Sequence, residues 1–400
     1  MRQPVLTIFY QFDPWQATIG GIQTVIRSFI KYAPSEFVVR LVGTGSTSAI
    51  PTGHWQEAEL AGRSIQFMPL IHLPNDNVRR RIPTTVKYTL ALLGHCFASD
   101  FMHFHRLEPS LAAFSWAGDK TLFIHNDIHQ QIAAARNHSE KTAILWQHLP
   151  SVYFALERVL VNQFSQILSC NSDSARFYQQ QYPTIANKVS LIKNTVDNEV
   201  FYPLTLEERE AGRMRLAQQL HLAPDTRFIL FAGRLHPQKD PLLLLQSIAA
   251  LKDPTVHLLV AGEGELAAAM QTEMVRLQLA HQVTLLGALP QAELANLHRV
   301  CSVLVLTSTH EGLPLVVLEA LACGTPVVTT RCGETPNLLS PDSGIVCNDR
   351  APQTIADAIR QVLFNTDFYC IESCVRTAQP YGARTVVGQV YDDMLSRWRP

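Results

Sequence analysis

Residues 308–326 read Ser308-Thr-His-Glu311-Gly-Leu-Pro314-Leu-Val-Val-Leu-Glu319-Ala-Leu-Ala-Cys-Gly324-Thr-Pro326. The stretch follows a short apolar run and has a proline near the start of a helical pattern. A glycine and a second proline stand at its end, and these are the usual limits of a helix. A buried strand followed by such a helix is the repeating unit of a parallel sheet that is covered on both faces.

The same alternation of strand and helix patterns extends to both sides of this segment. We predict strands at residues 5–9, 37–42, 121–124, 167–169, 228–231, 256–260, 283–285, 303–306 and 327–329. Between the two series, residues 201–225 hold two prolines and a charged run, which indicates a domain boundary. The pattern predicts an α/β protein of two Rossmann-like domains that face each other across a cleft.

We place the N-terminal domain at residues 1–203 and the C-terminal domain at residues 204–380. Residues 381–400 contain a helical pattern at 386–398, and we expect this terminal helix to pack back on the N-terminal domain. The chain has no repeat of fixed period, which argues against a solenoid.

Composition limits the functions that two such domains can have. Charged residues make up 17% of the 400, against about 25% in an average soluble protein. The formal net charge is −1, which excludes the basic footprint of a general nucleic-acid binder. The eight cysteines contain no Cys-x-x-Cys, and we expect reduced thiols. Because neither a signal-peptide pattern nor a long apolar run is present, we predict a cytoplasmic protein without a transmembrane helix.

The helix predicted in the opening stretch offers an anion site. Its N-terminus would present the free backbone N–H groups of Leu313, Leu315 and Val316, together with the positive end of the helix dipole. Glu311 lies in the turn before this helix, and the carboxylate of Glu319 could bind a vicinal diol. The alternative is that Glu319 is a solvated surface group and that Glu311 is only a first-turn carboxylate favoured by the dipole.

A second segment places two cations after a predicted strand. The strand at 228–231 is followed by Gly233, Arg234 and Lys239. Loops at the carboxyl ends of strands face the ligand in this architecture, so the two cations could converge on a diphosphate. The alternative is that both are ordinary solvated surface charges.

A third segment follows the first predicted strand and precedes a helix. Gly20 and Gly21 allow a ligand to approach the backbone closely, and Gln23 follows them. The chain has neither Gly-x-Gly-x-x-Gly nor Gly-Lys-Ser/Thr, so nicotinamide and P-loop sites lose their support.

Histidines supply one further candidate. His125 stands at the end of the strand predicted at 121–124. A metal site at His125 and His129, or at His103 and His105, is the alternative, but no third ligand follows a recognisable spacing. No Asp-x-Asp is present, so we expect no metal and no resident cofactor.

Together these segments resemble the family 4 retaining glycosyltransferases of the GT-B fold. The matching residues are Gly20-Gly21-Ile22-Gln23, His125, Ile192-Lys-Asn194-Thr-Val-Asp197 with Phe201 and Pro203, Gly233-Arg234 with Lys239, Val260-Ala-Gly262-Glu-Gly264, Leu286-Gly287, and Glu311 to Glu319 with Ala320 and Gly324. Two positions depart from the pattern, because Asp240 and Pro314 stand where many members have glycine.

The resemblance implies a role for each matching residue. Arg234 and Lys239, next to Gly233, would hold the donor diphosphate, and Leu315 and Val316 would donate backbone N–H groups to it. Gly20 and Gly21 would approach the donor from the other domain. Glu319 would bind the ribose, Gly262 and Leu286 would flank the base, and Glu311 and His125 would contact the transferred sugar. The catalytic residues expected are therefore His125, Glu311, Arg234 and Lys239, and we assign acceptor binding to Gln23, Arg106 and Asn194.

The resemblance implies transfer of a hexosyl group from a UDP- or GDP-sugar to a glycan, glycolipid or polyprenol-linked acceptor, with retention and without a metal. A basic helix around Arg79, Arg80, Arg81 and Lys87 could bind an anionic membrane surface at the inner face, or could be a solvated charge run. Alternatives are a GT-B sugar-nucleotide epimerase, a phosphorylase-like enzyme whose pyridoxal lysine is not identifiable, and a non-catalytic nucleotide-sugar-binding protein.

Overall fold

The computed structural model describes residues 2–15, 20–46, 51–73, 83–125, 129 and 149–399. The chain divides into two compact units, one of residues 1–194 with 386–400 and the other of residues 195–385. Both predicted boundaries, after residues 203 and 380, therefore lie inside the second unit. Residues just after 194 join that unit because Val196 pairs with Gly382 and the carbonyl of Tyr202 accepts a hydrogen bond from Arg299.

An eight-stranded sheet forms the centre of the first unit within the described residues. Its strands are β1 (Val5–Phe9), β2 (Val38–Gly45), β3 (Gln56–Leu60), β4 (Arg63–His72), β5 (Phe101–Phe104), β6 (Asp119–Ile124), β7 (Gln166–Ser169) and β8 (Val189–Leu191). Their order is β3-β4-β2-β1-β5-β6-β7-β8, and only β3 and β4 pair in antiparallel fashion. The winding direction reverses between β1 and β5, so the loops after these two strands flank the crevice where such sheets bind ligands.

Helices cover this sheet through their apolar faces. They are α1 (Gly21–Lys31), α2 (Thr84–Leu92), α3 (Pro150–Leu160) and α4 (Ser172–Gln181). In α1 the buried residues Val25, Ile26 and Phe29 recur at the spacing of one helix face. Phe9 and Phe104 stack at 4.7 Å between ring centroids, which places aromatic packing beneath the carboxyl ends of β1 and β5.

A six-stranded parallel sheet forms the centre of the second unit. Its strands are β9 (Arg227–Ala232), β10 (Val256–Ala261), β11 (Val283–Gly287), β12 (Val303–Leu306), β13 (Val327–Thr330) and β14 (Gly344–Cys347). Their order is β11-β10-β9-β12-β13-β14, the doubly wound order of a Rossmann sheet. Every residue of β10, β12 and β13 is buried, as expected for strands that are covered on both faces. Here the winding direction reverses between β9 and β12.

The second unit and the end of the chain contain the remaining helices. They are α5 (Leu206–Gln219), α6 (Pro241–Leu251), α7 (Ala267–Arg276), α8 (Gln291–Val300), α9 (Leu315–Ala322), α10 (Thr335–Leu338), α11 (Pro352–Phe364), α12 (Ile371–Ala378) and α13 (Ala383–Arg397). From Val386 onward α13 belongs to the first unit, where Tyr391 donates a hydrogen bond of 2.8 Å to the carbonyl of Phe29. None of the described helices is long and apolar enough to cross a membrane.

Candidate functional site

The predicted site residues of the second unit lie between β9 and β12, where the winding direction of its sheet reverses. Gly233 and Arg234 follow β9, and residues 307–311 follow β12, the next strand in the sheet. In a doubly wound sheet the crevice between two such loops is the usual ligand position. The topology therefore brings the cation segment and the Glu311 segment to one edge of one sheet.

Glycines shape the loops after β9 and β10. Gly233 and Gly262 both have φ of +154°, a conformation that side chains rarely adopt. A Cβ atom on Gly262 would lie only 1.9 Å from the carbonyl oxygen of Gly233. The N–H of Gly262 donates to the carbonyl of Gly287, next to the half-buried Leu286. These close approaches hold the predicted base-flanking residues Gly262 and Leu286 in neighbouring loops.

Lys239 and Glu311 form a direct ion pair at this edge. Lys239 Nζ lies 2.5 Å from Glu311 Oε1, and the two side chains are 17% and 8% exposed. The hydroxyl of Thr307 donates to the carbonyls of Lys239 and Asp240, at 2.9 Å each. Lys239 is therefore not the solvated surface charge of the alternative interpretation, because its loop and its ammonium group are both held by the segment after β12.

Asp240 occupies the position where the resembled family commonly has glycine. Its φ of +44° lies in the left-handed region, which aspartate tolerates better than most residues. Its Oδ1 accepts from the N–H of Leu243 at the start of α6, and its Oδ2 lies 2.5 Å from Arg350. Arg350 also donates to the carbonyls of Thr307 and Ser308. Nothing in the sequence indicated Arg350 as the partner of Asp240.

Arg234 stands apart from these contacts. Its side chain is exposed, and its guanidinium forms no hydrogen bond or ion pair with the part of the chain that the structure describes. It follows Gly233 at the carboxyl end of β9, so it is a cation available to a ligand at the sheet edge.

The helix predicted after Glu311 is α9, which begins at Leu315. Its N-cap is Pro314, and no side chain caps the helix. The N–H groups of Leu315 and Val316 have no hydrogen-bond acceptor among the described residues. Leu313, the third donor that we predicted, lies before the N-cap. Glu311 also precedes the N-cap, so it is not the first-turn carboxylate of the alternative interpretation.

Glu319 lies in the second turn of α9 and is buried. It is 7% exposed, and burial raises the pKa of its carboxyl group to about 7. His298 Nε2, at 3.9 Å from Glu319 Oε2, supplies no positive charge, because burial and then Arg299 lower the pKa of this histidine to about 3. The interpretation of Glu319 as a solvated surface group is therefore wrong. His298 is a further residue of this site, and its position on α8 gave no signal in the sequence.

The glycine pair lies at the start of α1 in the first unit. Gly20 is the N-cap of the helix, with an extended φ of −159°, and Gly21 is its exposed first residue. Gln23 is half-buried and folds back over Gly20. Neither glycine has a positive φ. The exposed backbone at Gly21, and not an unusual conformation, is therefore what this segment offers a ligand.

His125 follows β6 in the first unit, and His105 follows the neighbouring strand β5. His105 Nδ1 and His125 Nε2 are 2.8 Å apart, and Arg106 comes directly after His105. Burial and then the charge of Arg106 lower the pKa of His125 to about 4, so the imidazole is neutral at neutral pH. Asn194, the third predicted acceptor residue, is buried at the end of this unit.

Two histidines of the metal-binding alternative each lie within hydrogen-bond distance of another side chain. His129 Nε2 lies 2.8 Å from Glu157 Oε2, and His125 contacts His105. Among the described residues, no group of three or more His, Cys, Asp or Glu side chains has the arrangement of a metal site. The arginines Arg79, Arg80 and Arg81 lie outside the described residues.

Comparison with known proteins finds a family match within the second unit. Residues 213–377 match the family described as "Glycosyl transferases group 1". D-inositol 3-phosphate glycosyltransferase of Segniliparus rotundus is 31% identical over 204 residues, which are 49% of this chain and 44% of that protein. The chain spans about half the length of the curated relatives it matches.

Solved structures show the same fold over almost the whole chain. Sucrose-phosphate synthase from Thermosynechococcus elongatus has a TM-score of 0.78 at 17% identity, covering 99% of this chain and 100% of that one. HepE of Anabaena in complex with UDP-glucose has a TM-score of 0.73 at 18% identity, covering 98% and 100%. The GT-B fold and the resemblance predicted from the sequence are confirmed.

The buried carboxyl group of Glu319 predicts a pH-dependent effect on stability. Because its pKa is raised from 4.5 to about 7 in the folded protein, the free energy of unfolding falls as pH rises through this interval. Glu319→Gln removes that ionisation. We expect the variant to match the wild type at pH 4.5 and to be more stable at pH 8, by up to about 3 kcal/mol.

Thermal or urea denaturation at the two pH values measures this difference. Glu293→Gln, which changes an exposed glutamate at the start of α8, is the matched control. Its difference in stability from the wild type should be the same at both pH values. A stability difference for Glu319→Gln that does not change with pH would contradict the assignment.

Proposed function

We propose, from the match of residues 213–377 to the group 1 glycosyl transferase family, that this chain is a glycosyltransferase that uses a nucleoside-diphosphate sugar. It would transfer a hexosyl group from a UDP- or GDP-sugar to a glycan, glycolipid or polyprenol-linked acceptor, with retention of configuration and without a metal. The observation that carries the proposal is the Lys239–Glu311 pair, which lies beside the open N-terminus of α9 at the switch point of a Rossmann sheet.

The diphosphate would bind to cations and backbone donors of the second unit. Lys239 has three N–H donors, so it can bind a phosphate oxygen and keep its bond to Glu311. Arg234 offers a planar fork without an internal partner among the described residues. Leu315 and Val316 add two N–H groups at the positive end of α9. These four groups would supply the charge complement that a metal ion supplies in other enzymes of this chemistry.

The nucleoside would bind beside the diphosphate. Glu319 is a buried acceptor without a cation, and ribose hydroxyls are donors that would favour its ionised form. The loops of Gly262 and Leu286 would flank the base. HepE, which shares the fold, was solved with UDP-glucose. That complex supports UDP as the first nucleotide to test.

The proposed mechanism depends on where charge develops in the transition state of sugar transfer. Breaking the bond between sugar and diphosphate places negative charge on the leaving oxygen and positive character on the sugar ring. Donors that are already oriented toward the phosphate stabilise the first charge without reorganisation. Glu311 and, on the resemblance, His125 would bind the transferred sugar, while Gly21 would approach the donor diphosphate. Gln23, Arg106 and Asn194 remain our assignment for the acceptor.

The phosphate-binding cations provide the direct test of activity. We expect Arg234→Ala and Lys239→Ala each to lower the transfer rate by about 10²- to 10³-fold, the effect of removing one preorganised transition-state donor. Rates are measured as glycosylated product with UDP- and GDP-sugars, and a melting curve confirms that each variant is folded.

Arg276→Ala is the matched control, because Arg276 is an exposed arginine of the same unit that pairs with Glu273 on α7. Near-normal rates for both cation variants would overturn the assignment. Interconversion of the free donor sugar would favour the epimerase, and binding without any turnover would favour the non-catalytic protein.

Membrane association is a second part of the proposal. The basic run Arg79–Arg81 precedes α2, and Leu90 and Leu93 at the end of this helix are 61% and 53% exposed. A basic run before a helix that exposes leucines at its end suits an anionic bilayer surface. We expect the protein to float with anionic vesicles at low salt and to lose this when the three arginines are changed to serine.

Neutral phosphatidylcholine vesicles serve as the control for this flotation. Absence of the protein from the anionic vesicle fraction at low salt would remove the membrane proposal and leave the enzymatic one intact.

A further inference from the structure

His105 and His125 form a bonded pair at the carboxyl edge of the first sheet. Their strands, β5 and β6, are parallel neighbours. The Nδ1–Nε2 distance is 2.8 Å, and the two ring planes differ by 15° with centroids 5.1 Å apart. Nearly parallel planes at this separation suit an N–H···N bond that lies in the plane of both rings.

Both imidazoles are neutral, so one ring donates and the other accepts. Burial, with His125 and His103 nearby, lowers the pKa of His105 well below its usual value, and the pKa of His125 is also low. A neutral imidazole carries one N–H and one bare nitrogen. The partner of one nitrogen therefore decides which form the ring takes.

The surroundings of the other ring nitrogen of His105, Nε2, determine which of the two rings donates. Its Nε2 is buried and has no hydrogen-bond partner among the described residues. If His125 were the donor, His105 would carry its own proton on this buried nitrogen, where no acceptor among the described residues meets it. Buried N–H groups without an acceptor are rarer than buried acceptors without a donor. His105 Nδ1–H therefore donates to His125 Nε2, and His125 carries its proton on Nδ1.

Aromatic packing prevents His105 from rotating away. Phe123 stacks on its ring at 4.7 Å with planes 10° apart, and Phe29 meets it edge-on. His103, two residues earlier in the same strand, also packs on Phe123, at 4.8 Å. Both of its ring nitrogens are buried without a partner in the described part of the chain. His103 thus shares the environment of His105 but lacks the bond to His125.

We propose that His105 is a positioning residue, which holds the ring of His125 and keeps its proton on Nδ1 so that His125 can donate to an oxygen of the transferred sugar. This role rests on the proposed function for its consequence in catalysis. The arrangement of the two rings is a property of the protein alone.

Imidazole nitrogen NMR tests the arrangement without substrate. The protein is labelled with ¹⁵N at histidine, and the His125 signals are identified by their loss in His125→Gln. We expect Nδ1 of His125 to be protonated in the wild type and in His103→Phe. In His105→Phe, which keeps the ring shape without the donor, we expect a mixture of the two forms. His105→Asn, whose amide nitrogen can take the place of Nδ1, should restore the single form.

Kinetics test the consequence. We expect His105→Phe to lower kcat by about tenfold, the effect of one lost hydrogen bond, with the donor KM little changed. His105→Asn should recover most of the rate, and His103→Phe should match the wild type.

A wild-type His125 protonated on Nε2 overturns the proposal, as does equal loss of activity in His103→Phe and His105→Phe. If the wild type transfers no sugar at all, the proposed function fails, while the NMR result still decides the arrangement of the pair.

Discussion

The ion pair between Lys239 and Glu311 is the contact on which the candidate site depends. It joins the loop after β9 to the loop after β12. The winding direction of the second sheet reverses between these two strands. Hydrogen bonds from Thr307 and the Asp240–Arg350 pair fix the same two loops to each other. An ammonium group held in this way is already positioned when a ligand arrives, which is the condition under which electrostatic stabilisation of a transition state is most effective.

Glu319 lowers the stability of the protein without a ligand at neutral pH, and a ligand that donates to it would offset this cost. A carboxyl group buried without a cation destabilises the folded state at neutral pH, and its pKa near 7 expresses this cost. Hydroxyl donors from a ribose would remove the cost and so contribute to binding. Leu315 and Val316 add two N–H donors at the positive end of the same helix, and the proposed diphosphate would accept from them. Under the proposed function, one nucleotide would therefore contact both the carboxyl group and these donors.

The sequence predicted the fold through its fully buried strands. All nine predicted strands are present within a few residues, because runs such as Val303–Leu306 are apolar throughout and end at clear turns. The sequence did not reveal β3, β4, β5, β8 and β14. Of these, β3 is a largely polar edge strand, His103 occupies one of the two middle positions of β5, and β8 and β14 are short. The predicted boundary after residue 203 differs from the division after residue 194, because Pro203 guided the prediction, whereas Val196 pairs with Gly382 in the second unit. Side-chain partners such as Arg350, His298 and His105 come from segments that are distant in sequence, so spacing along the chain does not predict these contacts.

The most direct measurement is the melting temperature of the protein with UDP, GDP and ADP, each added in the presence of EDTA. We expect one nucleoside diphosphate to raise the melting temperature, since a ligand at about 100 times its dissociation constant adds roughly 2.7 kcal/mol to stability. The same diphosphate should have a much smaller effect on Lys239→Ala. If none of the three stabilises the wild type, or if the effect is equal in Lys239→Ala, the second unit does not bind a nucleoside diphosphate through this ion pair.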